Sequence, residues 1–286
     1  MKISDLTGYS LSSPYGDGNV FGQPQGVKSL GIVEVHTDAG QIGIGETYAG
    51  VYAPELVTPI VEFLKPIIVG MDPCDIGTIN KSLKIPFISG SGLMRSVISA
   101  VDIALWDIKG QIYKKPIYQL LNEQVRDSVK VYASGGSVAM NVDEIHSDVE
   151  HILIKGFSAY KMRVGVQPWE NDLNRVAAAR NKLGKNSELM IDAIMGTLPS
   201  PWGVETAISR TRDLVPYRPS WLEEPLLPEN YLGYQELSNK TNIPIAMGES
   251  FTGLHEFEAY LSGKCVEYIQ PDVTHCGGFS QAVKVI

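Results

Sequence analysis

From residue 129 onward, short apolar runs recur at regular spacing, and five of the six carry a charged residue in their second half; no other feature constrains the fold as much. The runs are VKVYASGG (129–136), AYKMRVG (159–165), ELMIDAI (188–194), WLEEP (221–225), PIAMGES (244–250) and YIQPDVT (268–274), with starts 23–33 residues apart. Between them lie segments of helical periodicity such as DEIHSDVEHILIKG and WENDLNRVAAARNKLG. That spacing is the length of a βα unit. Repeated βα units build a parallel sheet, either doubly wound or closed into a barrel. Neither GxGxxG nor GxxxxGKS/T follows the first run, which weakens the nucleotide-binding reading. A β/α barrel is predicted for residues 126–286.

Residues 1–125 have a different texture, with strands first and helices after. SLGIVEVHTDAGQIGIGET (29–47) reads as a hairpin around TDAG. PELVTPIVEFLKPIIVG (54–70) has helical spacing, with Pro66 marking its end, and a long helical stretch over 91–121 is broken at Gly110 and Pro116. An α+β domain is therefore predicted for 1–125. The stretch 12–26, rich in Gly, Pro and Ser, reads as a mobile loop.

The 286 residues suffice for one large domain or two ordinary ones. A formal net charge of −8 argues against nucleic acid or an anionic membrane as partner. Cys74, Cys265 and Cys276 form no CxxC pair and read as reduced thiols of a cytoplasmic protein. The N-terminus MKISDLTGYS has no apolar signal region, and no run approaches the ~18–20 apolar residues of a membrane span.

The ends of the predicted strands carry Lys161 and Arg163, then Asp192, Glu223, Glu249 and Asp272. In a β/α barrel the functional groups gather at those ends. Lys161 and Arg163 are two apart and share a face. Glu223 and Glu224 are adjacent, so only one can share a face with Trp221; Glu223 is predicted to point into the barrel mouth and Glu224 to support it from the outer side or to pair with a base on a neighbouring strand. One strand-end acid is ordinarily just solvated. Three converging acids repel unless a cation neutralises them, and a hard divalent ion such as Mg²⁺ does so while keeping waters for substrate to displace.

These residues fall in motifs by which the chain resembles the mandelate racemase/muconate lactonizing enzyme branch of the enolase superfamily: SAVDIALWDIKG, YKMR, MIDA, WLEEP, MGES and QPDVTHCGG. The resemblance spans nearly the whole chain. It implies that residues 1–125 are a capping domain whose loops near 14–26 and 48–54 set substrate choice, with Tyr15, Tyr48 and Tyr52 as substrate contacts. It implies Asp192, Glu223 and Glu249 as Mg²⁺ ligands, Lys161 and Arg163 at the catalytic KxK position, and Asp272 as the acid of a His–Asp dyad. It further implies abstraction of a proton α to a carboxylate of a small-molecule substrate, and a homo-oligomer, dimeric or octameric.

Two departures qualify what the resemblance implies. Arg163 stands where many members place a base lysine, and a guanidinium does not deprotonate; it suits a grip on a substrate carboxylate or hydroxyl instead. Lys161 remains a candidate base or an electrostatic group. Six strands of an expected eight are visible, so the barrel is read as incomplete and the dyad histidine as lying on a later strand. If the strand continues that far, alternation places His275 on the face opposite Asp272. His36, His146, His151 and His255 read as structural or solvated, and Gly43, Gly45 and Gly50 as turn and close-packing residues. The leading expectation is a Mg²⁺-dependent lyase dehydrating a sugar acid. The alternatives are a racemase, epimerase or cycloisomerase, and a non-catalytic metal-binding fragment.

Overall fold

The computed structural model describes residues 1–14, 26–122 and 126–286. The chain forms two compact units: Met1–Asp127 with Glu249–Glu258 and Pro271–Ile286, and Ser128–Gly248 with Ala259–Gln270.

The first unit opens with an antiparallel sheet of β1 (Ile3–Pro14), β2 (Val27–Thr37) and β3 (Ile42–Thr47), in that order. Period-two alternation buries Val33 and Val35 while Glu34 and His36 stay partly exposed. The hairpin read from TDAG is present. The loop predicted from residue 12 begins later, because Ser12–Pro14 extend β1 and pair with Ser29–Val27; residues 15–25 lie outside the described residues. After the sheet come α1 (Ala49–Tyr52), α2 (Pro54–Ile68), α3 (Ile76–Ser82), α4 (Gly92–Tyr113) and α5 (Ile117–Leu121). Two predicted breaks do not occur. α2 continues through Pro66, with Val57, Val61, Leu64 and Ile68 buried along one face; apolar packing outweighs the hydrogen bond that proline lacks. α4 continues through Gly110 and stops where Lys114 turns left-handed, at φ 50°.

Close backbone approach fastens α4 to the sheet. A Cβ on Gly43 would lie 2.1 Å from the Ala104 carbonyl oxygen, and one on Gly45 would lie 1.9 Å from that of Ala100. Ala100 and Ala104 are one turn apart, so the strand rests directly on the helix backbone.

The second unit alternates strands and helices: β4 (Ala133–Ser134), α6 (Val142–Ile154), β5 (Ala159–Arg163), α7 (Trp169–Leu183), β6 (Glu188–Asp192), α8 (Val204–Leu214), β7 (Leu222–Glu223), α9 (Tyr231–Ser238), β8 (Ile245–Met247), the Ala259–Ser262 end of α10 (Leu254–Ser262) and β9 (Tyr268–Ile269). α6 starts on a capping box in which Asn141 and Glu144 satisfy each other's backbone amides. All strand pairs are parallel and their order is strictly sequential, β4 to β9. A doubly wound sheet reverses its order at a switch point, and none occurs here. This is barrel order. β5 and β6 are buried on both faces, as central parallel strands are. β4 and β9 are shorter than predicted. β9 stops at Ile269, and Asp272–Cys276 form a turn in which His275 and Cys276 donate to the Asp272 carbonyl. The chain ends in α11 (Phe279–Val285), part of the first unit. Among the described residues no helix is long and apolar enough to cross a membrane.

The glycine contacts predict that Gly45→Val destabilises the first unit by ~3 kcal/mol, because the obstacle is backbone and no rotamer relieves it. Thermal and urea unfolding measure this, and unfolding unchanged from wild type would show that α4 does not rest on β3 in this way.

Candidate active site

Strand register assembles the charged face. Arg163 of β5 lies level with Asp192 of β6, and Asp192 lies level with Glu223 of β7. Level residues on parallel strands project to the same side, and period two brings Lys161 to that side too. The Lys161 Nζ sits 2.6 Å from Glu223 Oε1 and 3.3 Å from Asp192 Oδ2. Arg163 Nε lies 3.7 Å from the same Asp192 oxygen. Lys161, Asp192 and Glu223 are 6%, 3% and 1% exposed. Burial is the largest influence on Lys161 and acts to lower its pKa, but Asp192 and Glu223 together outweigh it and hold the ammonium above the usual lysine range.

Trp221 shares the Glu223 face, as alternation requires, and its indole N–H donates to Glu223 Oε2 at 3.1 Å. Glu223 is thus held by one partner on each oxygen. Trp221 packs against Tyr132 and Tyr268, with ring centroids 5.5 and 5.1 Å away, and Lys161 Nζ lies 5.9 Å from the Tyr132 ring. This aromatic surround was not foreseen from the sequence, although the two-residue spacing of Trp221 and Glu223 signals part of it. Glu224 is buried and left-handed, at φ 41°. Ile194 is left-handed at φ 49°, with its amide donating to Asp192 Oδ1 at 3.0 Å. A β-branched residue in that region is a genuine outlier. Gly248, just before Glu249, has φ 122°. Each predicted metal ligand therefore lies beside or close to a backbone kink that ends strand alternation.

The first unit carries the other candidates. Glu249, Asp272, Tyr48 and Tyr52 all belong to it, whereas Asp192 and Glu223 belong to the second unit. Asp272 Oδ1 accepts from both the amide and the hydroxyl of Thr274, each at 2.8 Å. The Tyr48 amide donates to the Thr274 carbonyl, and its ring stands 5.9 Å from Tyr52 and 5.4 Å from His275. Burial first, then Tyr52, Glu249 and Asp272 push the Tyr48 hydroxyl above its ordinary pKa, so it is a hydrogen-bond donor at any physiological pH. Tyr15 lies outside the described residues. His275 is not placed by strand alternation, because the strand has ended. Its Nδ1 is 3.0 Å from Ser96 Oγ, and burial above all holds its pKa below the ordinary value, so the ring is neutral near pH 7. Pro271 and the Asp–Val–Thr turn signature were the available signals for that chain reversal.

Among the described residues no three His, Cys, Asp or Glu side chains gather as a ready-made metal cluster. The chemistry of the donors nevertheless suits Mg²⁺: carboxylate oxygens are hard ligands, and the Lys161 ammonium marks a place between two of them where positive charge is needed.

The Lys161 geometry predicts that Lys161→Met lowers stability by ~3–5 kcal/mol near pH 7, because two buried carboxylates lose their cation. Since the folded-state pKa is raised, the lysine contribution is complete below the unfolded value of ~10.4 and falls only as pH rises beyond it. Urea unfolding should therefore give a wild-type-minus-variant difference that is flat over about pH 7–9. A difference already shrinking at pH 8 would contradict the raised pKa.

The chain matches two families of domains: residues 23–122 match the mandelate racemase/muconate lactonizing enzyme N-terminal domain, and residues 144–286 match the enolase C-terminal domain-like family. It is 32% identical over 256 residues to 3,6-anhydro-alpha-L-galactonate cycloisomerase of Streptomyces coelicolor, covering 88% of this chain and 69% of that enzyme. It is 30% identical over 292 residues to L-talarate/galactarate dehydratase of Salmonella typhimurium, covering 100% of this chain and 72% of that enzyme. The crystal structure of a racemase from Streptomyces coelicolor with bound magnesium superposes with a TM-score of 0.90 at 30% identity, covering 99% of this chain and 79% of that one.

Proposed function

The chain belongs to the mandelate racemase/muconate lactonizing enzyme family of the enolase superfamily, and we propose that it abstracts the proton α to the carboxylate of a sugar-derived hydroxy acid and then expels the β-oxygen. The observation that carries this reading is the buried Lys161 ammonium bridging Asp192 and Glu223, with Arg163 on the same face.

Removal of an α-proton places negative charge on the substrate carboxylate. Lys161 and Arg163 project toward one side, where preorganised positive charge stabilises that charge as it develops. Arg163 grips a carboxylate or hydroxyl through its planar fork. Lys161, an ammonium between Asp192 and Glu223, supplies a field or a proton to the developing charge. Asp272, fixed through Oδ1 by Thr274, would orient the dyad histidine that the family resemblance implies as general base. Asp192 and Glu223 would hold Mg²⁺, with Glu249 the further ligand that the family resemblance implies, and the ion when bound supplies electrophilic stabilisation of the carboxylate. Tyr48 and Tyr52 contact substrate hydroxyls. With a free β-hydroxyl the outcome is dehydration. A second reading, cycloisomerisation, is supported by the 32% identity to an anhydrogalactonate cycloisomerase: where the β-oxygen is tethered in a ring, its departure opens the ring without loss of mass.

Incubation with a panel of aldarates, aldonates and anhydro-aldonates in deuterated water tests both readings. One deuteron at C3 of a 2-keto-3-deoxy product is expected, with loss of water marking dehydration and unchanged composition marking ring opening. Deuterium only at C2 of recovered substrate would replace both with racemisation. Glu249→Gln should weaken Mg²⁺ binding and reduce turnover by at least ~100-fold; unchanged binding and turnover would remove Glu249 from the site.

A further inference from the structure

A second charged cluster lies in the same unit as Lys161 and has no part in the proposed chemistry. Asp172 and Arg175 stand one turn apart at the start of α7, 0% and 1% exposed, with Asp172 Oδ1 2.6 Å from Arg175 Nη1. Burying an ion pair costs a large desolvation penalty, and well-packed apolar residues commonly serve packing as well or better. What this pair does beyond packing is bind backbone. Asp172 Oδ2 accepts from the Gly165 amide at 2.8 Å. Arg175 Nη1 donates to the Arg163 carbonyl at 3.1 Å, and Nη2 donates to the carbonyls of Gly136 and Ser137 at 3.3 and 2.6 Å.

Those four backbone groups are the exits of β4 and β5. The Arg163 amide itself donates to the Gly136 carbonyl at 3.0 Å, so one guanidinium spans both ends of that connection. Asp148 fastens the β4 exit from the other side, accepting from the Gly136 amide at 2.9 Å and from the Tyr160 hydroxyl at 2.6 Å. Gln167 ties the β5 loop to the β4 loop through the carbonyls of Val138 and Met140.

We propose that the Asp172–Arg175 pair is a positioning device that fixes the end of β5, and with it the direction of Arg163 and the reach of Lys161. The catalytic part of this inference rests on the function proposed above. A lysine in place of Arg175 keeps the charge but cannot address three carbonyls and a carboxylate at once. An asparagine in place of Asp172 keeps the shape and loses the ionic bond.

Arg175→Lys and Asp172→Asn are read by thermal unfolding, amide hydrogen exchange over 163–165, and the separate kinetic constants. The expected result is faster exchange at Arg163–Gly165, with kcat down ~100-fold and KM within about threefold, since a displacement near 1 Å costs that much in rate. Two variants guard against one failing to fold. Folded variants with wild-type exchange and wild-type kcat would overturn the proposal. Wild-type protein that turns over no acid, with exchange still accelerated at 163–165 in the variants, would overturn the function and leave the clamp standing.

Discussion

One ammonium between two buried carboxylates organises the second unit. Asp192 and Glu223 stand side by side because β6 and β7 pair in register, and nothing in the hydrogen-bonded ladder can move one without the other. Two such anions, 3% and 1% exposed, would repel strongly in a medium where charges are poorly screened. Lys161 resolves this from the neighbouring strand, two residues before the row that Arg163 completes. The same requirement for positive charge is what makes the place suit a divalent cation.

The surrounding backbone is built to hold that arrangement still. Ile194 and Glu224 adopt left-handed conformations beside the two carboxylates, each costing about 1–3 kcal/mol. Such conformations persist only where neighbouring bonds over-determine them, and here the Ile194 amide is held by Asp192 itself. The Trp221 indole occupies the second oxygen of Glu223. The exits of β4 and β5 are tied by buried side chains to backbone groups, so the face carrying Lys161 and Arg163 rests on a framework and not on loop packing alone.

Much of this was legible in the sequence because strands have a period of two and βα units a characteristic length. The charged residues at strand ends, the shared face of Lys161 and Arg163, and the pairing of Trp221 with Glu223 all follow from those periods. The unforeseen parts were settled by tertiary contacts or by chain reversals. α2 runs past Pro66 because its buried face continues, and α4 runs past Gly110 to Tyr113 with half-buried Ile112 still packed on the core. β1 reaches Pro14 because β2 pairs with it, a long-range fact that composition does not carry. Alternation would place His275 only if the strand continued, and β9 ends at Ile269. The contacts of Asp172 with the Gly165 amide and of Arg175 with backbone carbonyls had no sequence signal beyond helical spacing.

The central claim is that the strand-end carboxylates form a cation site served by Lys161 and Arg163. The most direct test is a Mn²⁺ titration of wild type, Asp192→Asn and Glu223→Gln, followed by water-proton relaxation and competed with Mg²⁺. The account predicts one Mg²⁺-displaceable site in wild type, weakened at least ~10-fold in either variant. Equal binding in all three proteins would contradict it.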